Sequence, residues 1–385
     1  MSPLRVTVPI GTRPEIIKLA PVIAALRADG HLVRCIATGQ HFDGRMYTDV
    51  FAGFGLRPDA AWTLEGTEGE RLGQLLAASF AELATNRPDA LLVLGDTYTA
   101  PLVAVAARRH GVGVIHLEAG LRSFNDVSVE EVNRRMLAAL ATIHLAPTEL
   151  ARDFLLADGV ASERIRVVGN PVIDAIVDSG VSVKPIEARR GILVTAHRAT
   201  NVDDPVRLAE FVRLLEELGR RHGDVLLPLH PRTADRLLRA GTYERVTAAV
   251  GVTVCPPLPY DDLLVALSSS RVVVTDSGGL QEESSFFGVP AVVMRHTTPR
   301  WESVDTGAVV LTGLHCDRVL AAVELLTDPA EARRIAALPC PYGTGNTGQR
   351  VAEALADPQL LGLLRPVEPA LERGPVRPSR HRANA

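Results

Sequence analysis

Short runs of aliphatic residues recur along the chain, each ending in a polar or glycine turn and followed by a longer amphipathic stretch. Uninterrupted apolar runs of this kind are typical of parallel strands that are buried on both faces. The runs predict strands at 6–10, 32–37, 91–94, 112–117, 143–146, 165–168, 192–195, 225–229, 252–255, 272–275, 291–294 and 309–311. The stretches between them predict helices at 16–27, 70–84, 100–110, 205–221, 260–268, 281–287 and 347–355. This alternation indicates βαβ crossovers and therefore doubly wound parallel sheets.

The chain has 385 residues, which is too long for one ordinary core. An aperiodic stretch at 178–190 reads as a linker. We therefore predict an α/β fold with two Rossmann-like parallel-sheet domains, at 1–178 and 190–365, that face each other across a cleft. The helix at 347–355 is a candidate to pack back on the amino-terminal domain. The segment 366–385, rich in Pro, Arg and Ala, is predicted to be a disordered tail.

Composition narrows the class of protein. The formal net charge of −4 argues against a nucleic-acid partner. No run of 18 apolar residues is present, so no membrane span is expected. The amino terminus lacks the pattern of a signal peptide, and the four cysteines form no C-x-x-C pair. These features predict a cytoplasmic protein with inert thiols and no metal site.

Polar residues cluster where the predicted strands end. The carboxyl ends of parallel strands share one edge of the sheet, and ligands of open α/β sheets bind at that edge. Any one polar turn is ordinary, but seven together indicate a ligand site in a cleft between the two domains. The seven strand ends carry residues 11–15, 95–97, 118–122, 196–198 and 276–279, with His230 and Arg295.

The glycines at 278–279 precede a helix, and helix amino termini bind anions through free N–H groups and the positive end of the dipole. A diphosphate suits this position. The turn at 11–15 is either a second phosphate-facing turn or only a capped helix. Neither a G-x-G-x-x-G pattern nor a P-loop is present, which disfavours nicotinamide and ATP chemistry. Glu130 and Glu131 are adjacent on a helix, so at most one should face the cleft, and the other is either solvated or paired with Arg134 or Arg135.

Together these motifs resemble the UDP-N-acetylglucosamine 2-epimerases, a family with the two-domain architecture of the GT-B glycosyltransferases. The resemblance covers roughly residues 5–355 in the expected order. The matching segments are 11–15, 38–41, 95–97, 118–122, 130–134, 169–174, 195–198, 275–283 and 341–343.

The resemblance implies interconversion of UDP-N-acetylglucosamine and UDP-N-acetylmannosamine without a cofactor. UDP leaves, the C2 proton is lost to give a glycal, and UDP adds back. The implied catalytic residues are Asp96, Glu118, Glu130 and His197. Asp96 and Glu130 are expected to form the acid–base pair, with the other two positioning them or stabilising charge. The implied binding residues for the UDP-sugar are Arg13, Lys18, Arg122, Asn170, His230, Ser277, Gly278, Gly279, Glu282 and Arg295, with Glu282 holding the ribose.

The resemblance also implies a homodimer and a second, effector site with Gln40, Arg71 and Arg198. The chain departs from the family pattern near the sugar, in a shorter loop at 123–129 and in the segment 296–302. Leu263 stands near the usual uracil-packing phenylalanine. Three alternatives stay open: a hydrolysing relative that releases UDP and free N-acetylmannosamine, a GT-B glycosyltransferase, and a catalytically silent UDP-sugar sensor.

Overall fold

The protein is described here by a computed structural model, which covers residues 3–39 and 51–365. Its strands are β1 (Arg5–Ile10), β2 (Leu32–Ala37), β3 (Ala60–Ala61), β4 (Ala90–Leu94), β5 (Gly113–Leu117), β6 (Ile143–Ala146), β7 (Ile165–Val167), β8 (Ile192–Thr195), β9 (Val225–Pro228), β10 (Val252–Cys255), β11 (Val272–Thr275), β12 (Ala291–Val293) and β13 (Val309–Leu311).

Its α-helices are α1 (Arg13–Ala28), α2 (Glu68–Thr85), α3 (Thr99–Arg109), α4 (Val129–Leu140), α5 (Glu149–Ala157), α6 (Pro171–Ser179), α7 (Ala199–Val202), α8 (Pro205–His222), α9 (Pro231–Arg239), α10 (Tyr243–Thr247), α11 (Tyr260–Ser269), α12 (Gly279–Phe287), α13 (Trp301–Asp305), α14 (Cys316–Leu326), α15 (Pro329–Ala336), α16 (Thr347–Ala356) and α17 (Pro358–Gly362). Two short 3-10 helices lie at Ser162–Arg164 and Ile186–Ala188. Within the described ranges, no helix combines the length and the apolar character needed to cross a bilayer.

The strands form two parallel sheets, as the aliphatic runs predict. One sheet has the order β3-β2-β1-β4-β5-β6-β7, and the other has the order β10-β9-β8-β11-β12-β13. All the predicted strands are confirmed, with bounds that agree within one residue. Among the strands of the described residues, β3 alone was not predicted, because a pair of alanines makes no aliphatic run.

Each sheet reverses its strand order once, between β1 and β4 in the first and between β8 and β11 in the second. At such a point the neighbouring helices pack on opposite faces, and a crevice opens at the carboxyl ends of the two strands. The turns after these four strands are therefore the places where each sheet can best receive a ligand.

The two sheets are joined by shared packing as well as by the chain. Ile173 and Ile176 of α6 belong to one buried cluster with Leu264 and Phe287 of the second half. Near the end of the chain, α16 returns to the first sheet, where Val351 and other apolar residues of α16 and α17 join its core. The return is anchored by Asp174, whose carboxylate accepts from the backbone N–H of Thr347 at 3.1 Å and of Gly348 at 2.8 Å. The predicted tail at 366–385 lies outside the described residues.

Candidate active site

The carboxyl ends of both sheets border one cavity of about 620 Å³. The first sheet contributes the turns after β1, β4 and β5 and the start of α4. The second contributes the turns after β8, β9 and β11, with the segment that leads into α11. Asp96 and Glu130 therefore border the same cavity as Ser277. This is the arrangement that the chemistry expected from the sequence requires.

The predicted residues divide into those that border this cavity and those that do not. The bordering ones are Arg13, Lys18, Asp96, Glu118, Glu130, His197, Arg198, His230, Ser277, Gly278 and Gly279. Those that do not border it are Arg71, Arg122, Asn170, Glu282 and Arg295. Gln40 lies outside the described residues, so the expected effector site with Arg71 and Arg198 stays a prediction.

The amino terminus of α12 provides the anion-binding end of the cavity. Ser277, Gly278 and Gly279 border the cavity at the start of this helix, where backbone N–H groups have no partner within the helix. A Cβ atom at Gly278 would lie 3.1 Å from Nη1 of Arg300, so glycine lets the guanidinium close in behind the turn. Backbone donors and a nearby cation together suit a diphosphate.

Two histidines stand beside this helix start, with ring centroids 5.3 Å apart. His197 Nδ1 lies 3.2 Å from the buried carboxylate of Asp276, which also accepts from the backbone N–H of His197 and Arg198. His230 Nδ1 accepts from the backbone N–H of Arg232 at 3.2 Å, which leaves Nε2 as the protonated nitrogen. Burial, with the neighbouring His197, lowers the pKa of His230. His230 is thus a neutral donor at the anion-binding end.

Asp96 is held as a carboxylate by cations of both domains. Burial acts to raise its pKa, but Arg134, Arg300 and Lys18 outweigh burial, and the pKa is lowered. Arg134 makes the direct contact, with Nη2 2.7 Å and Nε 2.9 Å from Oδ2. The Asn133 amide fixes the same turn by donating to the Asp96 carbonyl oxygen at 2.9 Å. An ionised, oriented carboxylate at this position can accept a proton.

Glu130 and Glu131 diverge as their adjacency predicts. Glu131 is fully buried and pairs with Arg134 Nη1 at 2.5 Å. Glu130 borders the cavity, accepts from Ser128 Oγ at 2.5 Å and lies 3.6 Å from Nη1 of Arg198 in the opposite domain. Burial acts to raise the pKa of Glu130, but Ser128 and Arg198 help to lower it overall. The surroundings therefore lower the pKa of both members of the expected acid–base pair.

Glu118 is held in an unusual backbone conformation. Its φ of 62° lies in the left-handed region, which costs a non-glycine residue about 1–3 kcal/mol and recurs at functional sites. Oε1 is bound by Lys18 Nζ at 2.5 Å and by Asn170 Nδ2 at 2.8 Å. A Cβ atom at Gly95 would lie 3.3 Å from Oε2, so the glycine leaves this second oxygen room at the cavity wall.

The expected role of Glu282 is not supported by its position. Its side chain is fully buried, and its two oxygens accept from Lys18, Asn170 and Arg300. The next residue, Glu283, borders the cavity instead. Burial, with the neighbouring charge of Glu282, raises the pKa of Glu283 to about 7. Adjacent helical residues point about 100° apart, which is why Glu282 and Glu283, although neighbours in sequence, lie in different environments.

Arg122 and Arg295 are also placed differently from a direct substrate contact. Arg122 Nη2 pairs with Asp158 at 2.7 Å, and its carbonyl oxygen accepts from Trp301 Nε1 at 2.9 Å, so this residue joins the domains rather than reaching into the cavity. Arg295 does not border the cavity, and burial, with the charge of Arg198 nearby, lowers its pKa to about 9.

Four charged residues that border the cavity were not predicted as site residues: Glu15, Arg134, Glu283 and Arg300. Each lies inside a segment that was singled out, but none was distinguished from its neighbours. Glu15 accepts from the backbone N–H of Gly11 at 2.6 Å and of Thr12 at 2.8 Å, and from Thr97 Oγ1 at 2.7 Å. It therefore ties the turn after β1 to the turn that carries Asp96, and burial raises its pKa to about 7.

Known proteins resemble this chain over most of its length. The family model for UDP-N-acetylglucosamine 2-epimerase matches residues 24–356. The UDP-N-acetylglucosamine 2-epimerase of Methanocaldococcus jannaschii is 32% identical, over 91% of this chain and 99% of the relative. The UDP-2,3-diacetamido-2,3-dideoxy-D-glucuronate 2-epimerase of Pseudomonas aeruginosa is 36% identical, over 90% and 98% respectively.

Solved structures give the same result at the level of the fold. The crystal structure of the Methanocaldococcus jannaschii enzyme in complex with UDP-GlcNAc and UDP matches with a TM-score of 0.83, at 32% identity, over 91% of this chain and 99% of that chain. MurG of Acinetobacter baumannii matches with a TM-score of 0.55 at 14% identity, over 92% of this chain and 99% of that chain, and shows the shared two-domain fold alone.

Proposed function

The chain belongs to the UDP-N-acetylglucosamine 2-epimerase family, and from this premise we propose that it inverts C2 of a UDP-N-acetylhexosamine by eliminating UDP and adding it back. The observation that carries the proposal is the shared cavity, in which an anion-binding helix start of one domain faces the carboxylates of Asp96, Glu118 and Glu130 in the other. Leaving-group stabilisation and proton transfer are thereby available at one sugar ring.

We assign the nucleotide to the carboxyl-terminal side of the cavity. Tyr260, Leu263 and Leu258 give this side an apolar wall that suits the uracil ring. Glu283 stands beside that wall and is the carboxylate placed to accept hydrogen bonds from the ribose hydroxyls. The diphosphate then reaches the start of α12, with Arg13 and His230 facing it.

The reaction begins at the C1–O bond because no carbonyl group acidifies C2–H. As UDP leaves with the bonding electron pair, positive charge develops at C1 and acidifies the C2 proton. A carboxylate takes that proton, and the C–H electrons form the C1=C2 bond of the glycal. Donors at the helix start stabilise the departing diphosphate, and Glu118 stabilises the positive charge on the ring. Return of UDP to C1 with protonation of C2 from the opposite face completes the inversion.

Asp96 and Glu130 serve the two faces of C2. Inversion requires one of them to be protonated while the other is ionised, whereas the surrounding side chains lower the pKa of both. The bound diphosphate brings negative charge, which raises the pKa of neighbouring carboxyl groups. The carboxylate whose pKa rises takes up a proton from solvent when the substrate binds and delivers it to the second face.

Two outcomes of the elimination are distinguishable by experiment. In the proposed reaction UDP stays at the helix start and adds back; in a hydrolysing enzyme water takes its place and free sugar appears. Incubation in heavy water with UDP-N-acetylglucosamine and with UDP-2,3-diacetamido-2,3-dideoxy-D-glucuronate, followed by mass spectrometry and NMR, should give the C2-deuterated epimer of one of them, still joined to UDP. UDP accumulating in step with free sugar would establish hydrolysis.

The same assay separates the remaining classes. Sugar transfer that depends on an added acceptor would make the protein a glycosyltransferase. Thermal stabilisation by UDP without turnover of any UDP-hexosamine would make it a sensor. Either result would contradict the epimerase proposal.

We also propose a cytoplasmic homodimer that uses neither metal nor redox cofactor. Val129, Val132 and Met136 are spaced along one face of α4 and are exposed in the single chain, which supports an apolar contact with a second copy. Light scattering should give twice the mass of the chain, and Met136→Asp should lower it. A monomeric wild-type protein at micromolar concentration would contradict this assignment.

A further inference from the structure

Lys18 and Asn170 each bind two carboxylates, one from each domain. Lys18 Nζ lies 2.5 Å from Glu118 Oε1 and 3.0 Å from Glu282 Oε2. Asn170 Nδ2 donates to Glu118 Oε1 at 2.8 Å and to Glu282 Oε1 at 2.9 Å. The four side chains form a closed ring, to which the carboxyl-terminal domain contributes only Glu282.

The ring is buried and fully paired. Glu282 and Asn170 are 0% exposed, Glu118 is 5% exposed and Lys18 is 8% exposed. Glu282 accepts a further hydrogen bond from Arg300 Nε at 2.9 Å. Buried charges persist only where they are paired in this way, and removal of one partner leaves the others uncompensated. The environment of Glu118 is therefore complete only when the two domains are docked.

The ring has a cavity side and a hidden side. Glu118 and Lys18 border the cavity, whereas Asn170 and Glu282 do not. Glu118 uses Oε1 within the ring, and its Oε2 lies beside Gly95, which also borders the cavity. Glu282 lies in the first turn of α12, the helix whose first residues border the anion-binding end.

We propose that Glu282 is a positioning residue, which links docking of the diphosphate-binding helix α12, through Lys18 and Asn170, to the orientation and charge of Glu118. The inference rests on the proposed function, in which Glu118 stabilises charge on the sugar. With Glu282 present, the charge of Lys18 is shared between two carboxylates and Asn170 is held between them. Without Glu282, Lys18 pairs with Glu118 alone, and Oε2 of Glu118 loses its fixed direction towards the sugar.

The Glu282→Gln variant of the full chain tests this role, because it keeps the size of the side chain and removes its charge. The rate of deuterium exchange at C2 should fall about 30- to 100-fold at saturating substrate, as for a small displacement of a group at the reaction centre. The Kd for UDP should change less than about threefold, because Glu282 does not border the cavity. Glu283→Gln is the matched control on the same helix, and there the loss should fall mainly on UDP affinity.

A double-mutant cycle separates positioning from a general loss of structure. If Glu282 acts through Glu118, then Glu282→Gln should cost no more than about twofold in a Glu118→Gln background. An additive loss would overturn the inference, as would a loss of UDP affinity in Glu282→Gln equal to the loss of exchange. If thermal melting shows that Glu282→Gln does not fold, Glu282→Asp, which keeps the charge, is carried through the same cycle with the same criterion.

The wild-type result distinguishes this inference from the proposed function. No exchange with any UDP-hexosamine would overturn the proposed function and this inference with it. Exchange by the wild-type protein at a rate that Glu282→Gln matches would overturn the inference alone and leave the epimerase proposal standing.

Discussion

The cavity has two sides, the amino-terminal rim formed by the turns after β1, β4 and β5 and the carboxyl-terminal rim formed by the turns after β8, β9 and β11. The two rims have the same topology but present different chemical groups. Each lies at the point where a parallel sheet reverses its strand order. The amino-terminal rim presents charged side chains, such as Asp96 and Glu118, each bound to a cation. The carboxyl-terminal rim presents backbone N–H groups at the start of α12, with two histidines beside it. The sheet therefore decides where a ligand binds, and the turn residues decide what is done to it.

The rims also differ in how their geometry is held. The carboxylates of the amino-terminal rim depend on partners that are distant in sequence, as Glu118 depends on Lys18. The helix start depends mainly on neighbours, as when the backbone N–H of Ser277 donates to Thr275 Oγ1 at 2.9 Å. We expect damage to the first rim to reduce turnover and damage to the second to reduce affinity for UDP.

Asp96→Asn should have the largest effect, because it removes a proton acceptor from the first rim while leaving the second untouched. The rate of C2 exchange at saturation should fall about 10³-fold, within the range for loss of general acid–base catalysis. The Kd for UDP, measured by calorimetry, should stay within about threefold because Asp96 faces the sugar side. Retention of a tenth of the wild-type rate by the folded variant would remove Asp96 from the acid–base pair.

Gly278→Val should have the next largest effect, and it should lower the affinity for UDP rather than the saturated rate. Its Cβ atom would lie 3.1 Å from Arg300 Nη1 and 3.4 Å from Cζ, so the turn or the guanidinium must move. UDP affinity should fall about 10- to 100-fold, with a smaller change in the saturated rate. Gly69→Ala in α2, where a Cβ atom meets nothing within 4 Å, is the matched control and should leave both unchanged. A loss confined to the saturated rate would contradict the division between the rims.

The pH dependence of UDP binding sharpens the same comparison. Burial raises the pKa of Glu283 from its ordinary 4.5 to about 7 in the free protein. Hydrogen bonds from the ribose favour the carboxylate, so binding releases a proton below pH 7, and affinity should fall as the pH falls through 7. We expect a loss of about three- to tenfold between pH 8 and pH 6, the limit being one decade per pH unit. Glu283→Gln should weaken this dependence and leave only the part due to the terminal phosphate of UDP, whose second pKa is about 6; an unchanged pH profile in that variant would assign it to another group.

The contrast between the rims also explains how far the sequence predicts the site. Aliphatic runs identify the strands, and parallel strands bring their carboxyl ends to one edge, so residues at the turns such as Asp96 and Ser277 are predictable. The sequence does not predict which side of a helix faces the cavity. In α12 the residues from Leu280 to Ser284 are all buried, so no polar stripe orients the helix, and Glu282 and Glu283 cannot be told apart.

Ion pairs between residues that are distant in the sequence were not predictable either. Arg122 follows a strand end, as Asp96 does, yet it turns to Asp158, 36 residues later in the chain. Arg134 was expected at most as a partner of Glu130 or Glu131, whereas it bridges Glu131 and Asp96. Such choices depend on which buried charge is left uncompensated in the folded protein, and that is a property of the packed structure rather than of local sequence.

Leu263→Phe should have the smallest effect, and it is the one change expected to improve the second rim. Leu263 belongs to the apolar wall assigned to the uracil ring, and the resemblance stated for the sequence implies a phenylalanine near this position. An aromatic pair contributes about 0.5–1.5 kcal/mol beyond the area it buries, so UDP should bind about three- to tenfold more tightly. Because the contact is equal in the ground state and the transition state, the saturated exchange rate should not change. Weaker binding of UDP to Leu263→Phe than to Leu263→Ala would move the uracil away from this wall.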